Sequence, residues 1–272
     1  MKGAGVKVLE GNARFRDGKT VQVSTITGEQ IVRAEAIVIA TGSETVALPG
    51  LPFGGPVISS TEALALAEVP KRLAVVGAGY IGLEIGTAYA KLGAEVTVVE
   101  AEDRILPQYD AALTRPVAAR LKDLRITIHL NAKARRMAGE ALVIESADGE
   151  ETRIPTDKVL VAIGRRPRTD GWGLEELALE LDGRTVRVDE QCRTAMRGVY
   201  AIGDVVGEPL LAHKATAQGE MVAEIIAGHR RVHDPVSIAA VCFTEPEVVG
   251  VGLTPGEAKA KGGAIITGKF PL

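Results

Sequence analysis

Aromatic residues are scarce in this chain: Phe, Tyr and Trp together make up 3% of its 272 residues. So few flat rings give a poor stacking surface for bases. No sign of charge dominates, with 32 Lys and Arg against 35 Asp and Glu. A nucleic-acid partner would call for a basic surface, so none is expected. Cysteine is nearly absent. Cys192 and Cys242 are the whole complement, and only four histidines accompany them. No CxxC or Cys/His spacing of a zinc site occurs, so no metal is expected. Two separate thiols fit burial in a reducing compartment, and the expected setting is cytoplasmic. No apolar run approaches the ~18 residues of a membrane span. The first fifteen residues also lack the continuous apolar stretch of a secretory leader. Glycine is in excess, with 31 residues, about 11% against a usual ~7%. Much glycine with few aromatics suits a fold rich in tight strand-to-helix turns.

The pattern along the chain changes character several times. Residues 6–11, 13–15, 20–26 and 30–40 are β-rich runs split at Asp17-Gly18 and Thr27-Gly28-Glu29. Residues 42–56 carry Gly and Pro throughout and read as a loop. A short helix is expected over 60–68, with Ser60 or Thr61 as N-cap. Then comes an alternation: strand 73–76, helix 80–92 with Gly93 past its end, strand 95–99, helix 110–123 and strand 125–130. Pro116 should kink or shorten the second helix. This β-α-β-α-β order predicts a parallel sheet. A small meander over 133–154, turning at Ala147-Asp148-Gly149, leads to a buried strand at 158–163. Strands at 184–189 and 199–202, a helix over 212–227, a strand at 238–243, a helix over 254–261 capped by Thr254 and the start of a strand at 269–272 complete the reading. Both cysteines are expected in strands.

The strongest signal is Leu73-Ala74-Val75-Val76-Gly77-Ala78-Gly79-Tyr80-Ile81-Gly82, a GxGxxG between a strand and a helix. Gly77 permits the tight turn, Gly79 lets a diphosphate approach the backbone, and Gly82 lets the helix pack close to the sheet. The helix start offers N–H groups and partial positive charge to phosphates. Glu100 ends the next strand, where its carboxylate can accept bonds from ribose hydroxyls and repel a 2′-phosphate. NAD is therefore favoured over NADP. Glu84 faces the same turn, although an exposed helix carboxylate would look the same. Further on, Gly203-Asp204 follows a buried strand. It reads equally as a plain turn or as a carboxylate for a polyol.

These residues resemble the flavoprotein disulfide reductases. Val76 through Glu84, followed by Val98-Val99-Glu100, is similar to that family's NAD-binding segment. Ala40-Thr41-Gly42-Ser43 resembles its crossing segment, and Val161-Ala162-Ile163-Gly164-Arg165-Arg166-Pro167 resembles the strand leaving its NAD domain. The segment from Thr194 to Asp204 resembles its second flavin motif. Within the family, Gly79 through Glu84, Asp103-Arg104-Ile105-Leu106-Pro107 and Leu211-Ala212-His213-Lys214 are most similar to the branch that oxidises a dihydrolipoyl carrier. The resemblance implies an α/β fold: a Rossmann-type NAD-binding domain with parallel sheet and β-meander, flanked by two discontinuous pieces of an FAD-binding domain. The implied boundaries are 1–67 and 191–234 for the FAD pieces, 68–190 for the NAD domain and 235–272 for the start of an interface domain, near Phe243-Thr244-Glu245-Pro246-Glu247.

For NAD it implies Gly77, Ala78, Gly79, Tyr80, Ile81, Gly82, Glu84, Glu100, Ala134 and Gly164. For FAD it implies Thr41, Gly42, Ser43, Gly203, Asp204, Leu210, Leu211, Ala212 and His213. Glu84 and Tyr80 would support the meeting place of flavin and nicotinamide, with Tyr80 as a movable lid. The helix from Ala212 would point its positive end at the flavin. His213 reads as a packing or backbone contact, Lys214 as solvated or structural, and Trp172 as a loop packer. Arg165 and Arg166 would either reach phosphates or a partner domain, or remain solvated.

The chain departs from the family pattern as well. A first GxGxxG, the redox pair CxxxxC, the lysine beside that pair and the C-terminal catalytic His and Glu are not found in these 272 residues. The sequence thus resembles the middle of a longer enzyme with a lipoyl-bearing partner and a homodimeric form. The FAD site is therefore expected to be incomplete in these residues, and two other readings stay open: a module that binds NAD, holds FAD poorly and catalyses nothing on disulfides, and a segment of another flavin reductase such as an NADH oxidase or a mercuric-type reductase.

Overall fold

The structure, a computed structural model, describes residues 2–262, 264–268 and 270. Its contacts divide the chain into two compact units, Thr45–Arg165 with Ser237–Leu272, and Met1–Glu44 with Arg166–Val236. The expected boundaries at 67/68 and 190/191 fall inside these units. Strand Val57–Ile58 accounts for the first difference, because it joins the parallel sheet and brings 45–67 with it. Trp172 accounts for the second. It stacks edge-on against Phe15, with centroids 5.8 Å apart, and its carbonyl accepts the Phe15 N–H at 2.9 Å.

The unit built on 45–165 is a five-stranded parallel sheet. Strand β1 (Arg72–Val76) leads through the glycine turn to α1 (Tyr80–Lys91), then to β2 (Glu95–Val99), α2 (Ala111–Asp123) and β3 (Thr127–His129). Strand β4 (Lys158–Val161) inserts between Val57–Ile58 and β1, giving the order Val57–Ile58, β4, β1, β2, β3. Alternation splits the sheet's side chains between two cores. Leu73, Val75, Val96, Val98 and Leu160 pack with Leu83, Val117 and Leu121 of the helices. Ala74, Val76, Val99, Val159 and Val161 pack with Leu142, Ile144 and Ile154. Those three come from the antiparallel meander Ala132–Met137, Ala141–Ser146 and Glu151–Pro155. Arg72 at the start of β1 is held by Asp157 through a 2.6 Å ion pair. The guanidinium lowers the Asp157 carboxyl below its ordinary range.

Helix α1 ends as expected, with Gly93 at φ +99° behind it. Helix α2 continues past Pro116 to Asp123, held at its start by Asp110, whose carboxylate accepts the Ala112 N–H at 2.8 Å. The helix expected at 60–68 is the single turn Ser60–Ala63. Its N-cap is Ser59, with Glu62 completing a capping box. The later part of this unit pairs Ala240–Cys242 with Val248–Gly250 and adds the helix Pro255–Ala260, capped by Thr254. Glu245 there accepts from both Lys91 and Arg120, which hold its carboxyl below the usual range. The strand expected at 269–272 falls largely outside the described residues.

The unit built on 2–44 and 166–236 begins with the antiparallel sheet Asn12–Asp17, Thr20–Thr25 and Gly28–Arg33. A parallel pair follows, Ile37–Ile39 with Val199–Ala201. Helix α3 (Ala212–Ile226) packs Met221 and Val222 against Cys192. Residues 6–11 form no strand. Val6 and Val8 stay half exposed at 49% and 52%, and β propensity without a neighbouring strand to pair with does not suffice. The strand expected at 184–189 is the short Thr185–Val186, and a short strand, Ser43–Thr45, lies within the expected 42–56 loop.

Candidate functional site

The glycine turn shows three different reasons for its three glycines. Gly77 has φ +103°, and a Cβ there would lie 2.6 Å from the Ala162 carbonyl oxygen. Gly82 packs so tightly that a Cβ would fall 2.1 Å from the Gly77 carbonyl oxygen. Both are required by the fold itself. Gly79 is different. It is the N-cap of α1, with φ −75° and ψ 179°, a conformation open to any residue, and no side chain caps the helix there. A Cβ at Gly79 would meet nothing within 4 Å. The folded chain therefore supplies no reason for a glycine at 79, whereas a group approaching the helix start from outside would.

Glu100 sits beside this turn and is 9% exposed. One carboxylate oxygen accepts the Ala78 N–H at 2.6 Å and the other accepts the Glu102 N–H at 2.9 Å. The acid thus ties the middle of the turn to the end of β2. A carboxylate has about four acceptor positions, so two backbone donors leave capacity for hydroxyl groups. The turn is supported from behind by Leu106, whose N–H donates to the Ala78 carbonyl at 2.9 Å. This gives the Asp103–Pro107 stretch a structural task that its sequence did not disclose. Tyr80 is the first residue of α1 and is partly buried against the helix-side core. Ile81 follows it in the same turn of helix. Gly164 follows β4 at φ +138° with open space around its Cα. Ala134 lies on the meander, packed against the second core. Glu84 is committed elsewhere: one carboxylate oxygen accepts the Phe243 N–H at 2.8 Å.

The residues expected to hold flavin converge in the other unit. The Thr41 hydroxyl donates to the Arg168 carbonyl at 2.9 Å, and the Arg168 N–H donates to the Gly42 carbonyl at 2.9 Å. Gly42 has φ +70°. The Ser43 hydroxyl donates to the Asp204 carboxylate at 2.5 Å. Asp204 stands on a 3-10 turn, Gly203–Val206, bracketed by Gly203 at φ +77° and Gly207 at φ +98°. After it, the Leu210 N–H donates to the Glu208 carboxylate at 3.0 Å, and the Leu211 N–H to the Pro209 carbonyl at 3.0 Å. Leu211 is then the N-cap of α3, with no side-chain cap. Ala212 and His213 occupy the first turn of that helix.

A family profile described as pyridine nucleotide-disulphide oxidoreductase matches residues 1–219. The chain belongs to this family. The pyridine nucleotide-disulphide oxidoreductases use FAD and NAD, and the α/β fold with its parallel sheet is theirs. The chain is 55% identical over 273 aligned residues to a dihydrolipoyl dehydrogenase of Pseudomonas aeruginosa, covering all of this chain and 59% of that protein. It is 43% identical to the dihydrolipoyl dehydrogenase of Bacillus subtilis, with the same coverage. Among solved structures, LpdA of Mycobacterium tuberculosis superposes with TM-score 0.84 at 28% identity, covering 96% of this chain and 59% of that one. The HOCl-induced flavoprotein disulfide reductase RclA of Escherichia coli superposes with TM-score 0.82 at 28% identity, covering 93% and 59%. The chain thus spans about three fifths of the length of the relatives it matches.

The side chains singled out in the sequence of this pyridine nucleotide-disulphide oxidoreductase mostly stand as read, with Cys192 the exception. Of its two readings, solvated or structural, Lys214 takes the second: it is 4% exposed and donates to the Gly207 carbonyl. Burial pushes its ammonium below the ordinary lysine range, against the pull of Asp204 and Glu208. Cys192 is not in a strand. It follows a turn with φ +57°, and burial pushes its thiol up to about 11. Cys242 does lie in a strand, and burial raises its thiol too. Both thiols are buried and unpaired. Arg166 pairs with Glu44 at 2.6 Å. The Trp172 indole N–H donates to the Arg168 carbonyl at 2.9 Å, which makes it a loop packer as expected. Among the described residues, no helix is long and apolar enough to cross a membrane.

Proposed function

We propose that this chain is the central NAD- and FAD-binding portion of a dihydrolipoyl dehydrogenase. The parent reaction is dihydrolipoamide plus NAD to lipoamide plus NADH, with electrons passing through a cysteine pair and FAD. The observation that carries this reading is Gly79, a glycine that the fold does not need, standing at the start of α1 where a diphosphate would sit. The 55% identity with the Pseudomonas protein supports the choice of branch. In this reading Gly77 through Gly82 hold the diphosphate. Glu100 accepts the adenine-ribose hydroxyls and disfavours a 2′-phosphate, with Ala134 and Gly164 bordering the same site. Thr41, Gly42, Ser43, Gly203 and Asp204 hold the FAD, Asp204 accepting from its hydroxylated chain. The residues Leu210–His213 aim the start of α3 at the flavin ring, which favours negative charge there. FAD supplies the hydride and electron chemistry when bound. The residues of this chain orient it and keep its partners in place.

Tyr80 and Glu84, both on α1, belong to the same proposed dinucleotide site. Segment 235–272 opens the interface domain of a homodimer, and a lipoyl-bearing protein is the partner of the whole enzyme. Two buried thiols suit a cytoplasmic setting. Cys192 and Cys242 do not make the CxxxxC pair and are buried, so this reading assigns the redox dithiol to neither. Alone, the chain binds NAD and is inactive on disulfides. Calorimetric titration with NAD and NADP, together with NADH-dependent reduction of an artificial acceptor with and without added FAD, tests this. NAD should bind more tightly than NADP. Equal affinity would overturn the assignment of Glu100, and absence of any dinucleotide binding would overturn the reading as a whole.

A further inference from the structure

The inner face of α3 carries two buried polar side chains one turn apart, Lys214 and Gln218, 4% and 5% exposed. Positions i and i+4 lie on one face of a helix, and here both reach the same short turn. The Gln218 Oε1 accepts the Gly203 N–H at 2.8 Å. The Lys214 Nζ donates to the Gly207 carbonyl. Gly203 and Gly207 are the two ends of the turn that presents Asp204, and both have positive φ. Glycine at both ends lets the backbone adopt these positive φ values. Inside the turn, the main-chain bond from the Gly207 N–H to the Asp204 carbonyl spans 3.1 Å. A buried ammonium and a buried amide are costly unless their hydrogen bonds are needed. We propose that Lys214 and Gln218 are positioning residues that grip the two glycine ends of this turn and so set the Asp204 carboxylate for the hydroxylated chain of a flavin.

This inference rests on the reading of Asp204 as a flavin ligand, and the experiment separates the two. In the 272-residue chain, Gln218→Met removes the acceptor at nearly equal length, Gln218→Glu keeps it, and Lys214→Met removes the donor. Asp204→Ala serves as the control. Two quantities are read: NMR hydrogen exchange at the Gly203 and Gly207 amides, and FAD affinity from flavin fluorescence. Gln218→Met and Lys214→Met should speed exchange of these amides by about tenfold, leave the amides of β1 and β2 unchanged, and weaken FAD. Gln218→Glu should restore both. Unchanged exchange in the Met variants, or a Gln218→Glu chain that behaves like Gln218→Met, would overturn the grip. An Asp204→Ala chain that binds FAD like the parent would instead overturn the flavin reading, with the grip still judged by exchange. Should Lys214→Met fail to fold, the Gln218 pair decides.

Discussion

One methyl group at position 79 should separate folding from binding. The backbone of Gly79 is already extended, and a Cβ added there meets no protein atom within 4 Å. The folded chain should therefore accept alanine at only the small cost of a poorer N-cap, about 0.5–1 kcal/mol. For a chain of this size that corresponds to a fall in Tm of roughly 1–4 °C. Binding should respond differently, because the methyl occupies the place where a diphosphate must touch the backbone. Crowding of this kind costs about 1–3 kcal/mol, which is roughly 5- to 150-fold in Kd. Gly82→Ala is the contrasting variant, since its Cβ would be 2.1 Å from the Gly77 carbonyl oxygen. It should lose stability outright, together with binding. Thermal melts by circular dichroism and calorimetric titration with NAD, run on both variants, give the comparison. A Gly79→Ala chain that binds NAD like the parent would refute the reasoning. So would one that melts as early as Gly82→Ala.

Glu100→Ala should strip the Ala78 and Glu102 N–H groups of their acceptor, each costing about 1–3 kcal/mol if left unpaired. Denaturant melts should show the loss, and calorimetry should show weaker NAD binding with a narrower gap to NADP. Unchanged stability would mean that the carboxylate does not hold the turn. The Cys192 thiol, with its pKa raised by burial to about 11 from 9.0, gives an alkaline test. Between these values the folded chain keeps a proton that the unfolded chain has shed. Stability should therefore fall as pH rises from 9 to 11, by about 2–3 kcal/mol in total. In Cys192→Ala that part of the slope should vanish in denaturant melts at pH 8 and pH 10.5, and an identical slope in both chains would contradict the burial argument.

The parallel sheet, the glycine turn and the place of Glu100 were legible because they depend on spacing. Apolar runs of strand length, a helical period and glycines at fixed offsets leave a mark on the sequence. Residues 6–11 were misread because alternation shows a strand's faces and not whether a neighbour exists to bond it. The N-cap at Ser59 was placed one or two residues late because Ser59, Ser60 and Thr61 are all competent caps, and only the reach of Glu62 back to Ser59 chooses among them. Gln218 carries no mark of its buried role, and Lys214 reads equally as solvated or structural. Polar residues are read as outward-facing, and nothing local shows that a helix buries two of them to hold a distant turn. The hydrogen bonds from Leu106 to Ala78 and from Phe243 to Glu84 join positions far apart in the chain, which no window of sequence covers.

The strand Ile37–Ile39 bonds to Val199–Ala201 along one rim only. Among the described residues no strand lies along its other rim, and Val38, in the middle, is 39% exposed. Parallel strands are ordinarily enclosed on both sides, and a bare rim offers its amides and carbonyls to any extended peptide that comes near. The main-chain groups along that edge take their hydrogen bonds from something other than a strand among the described residues.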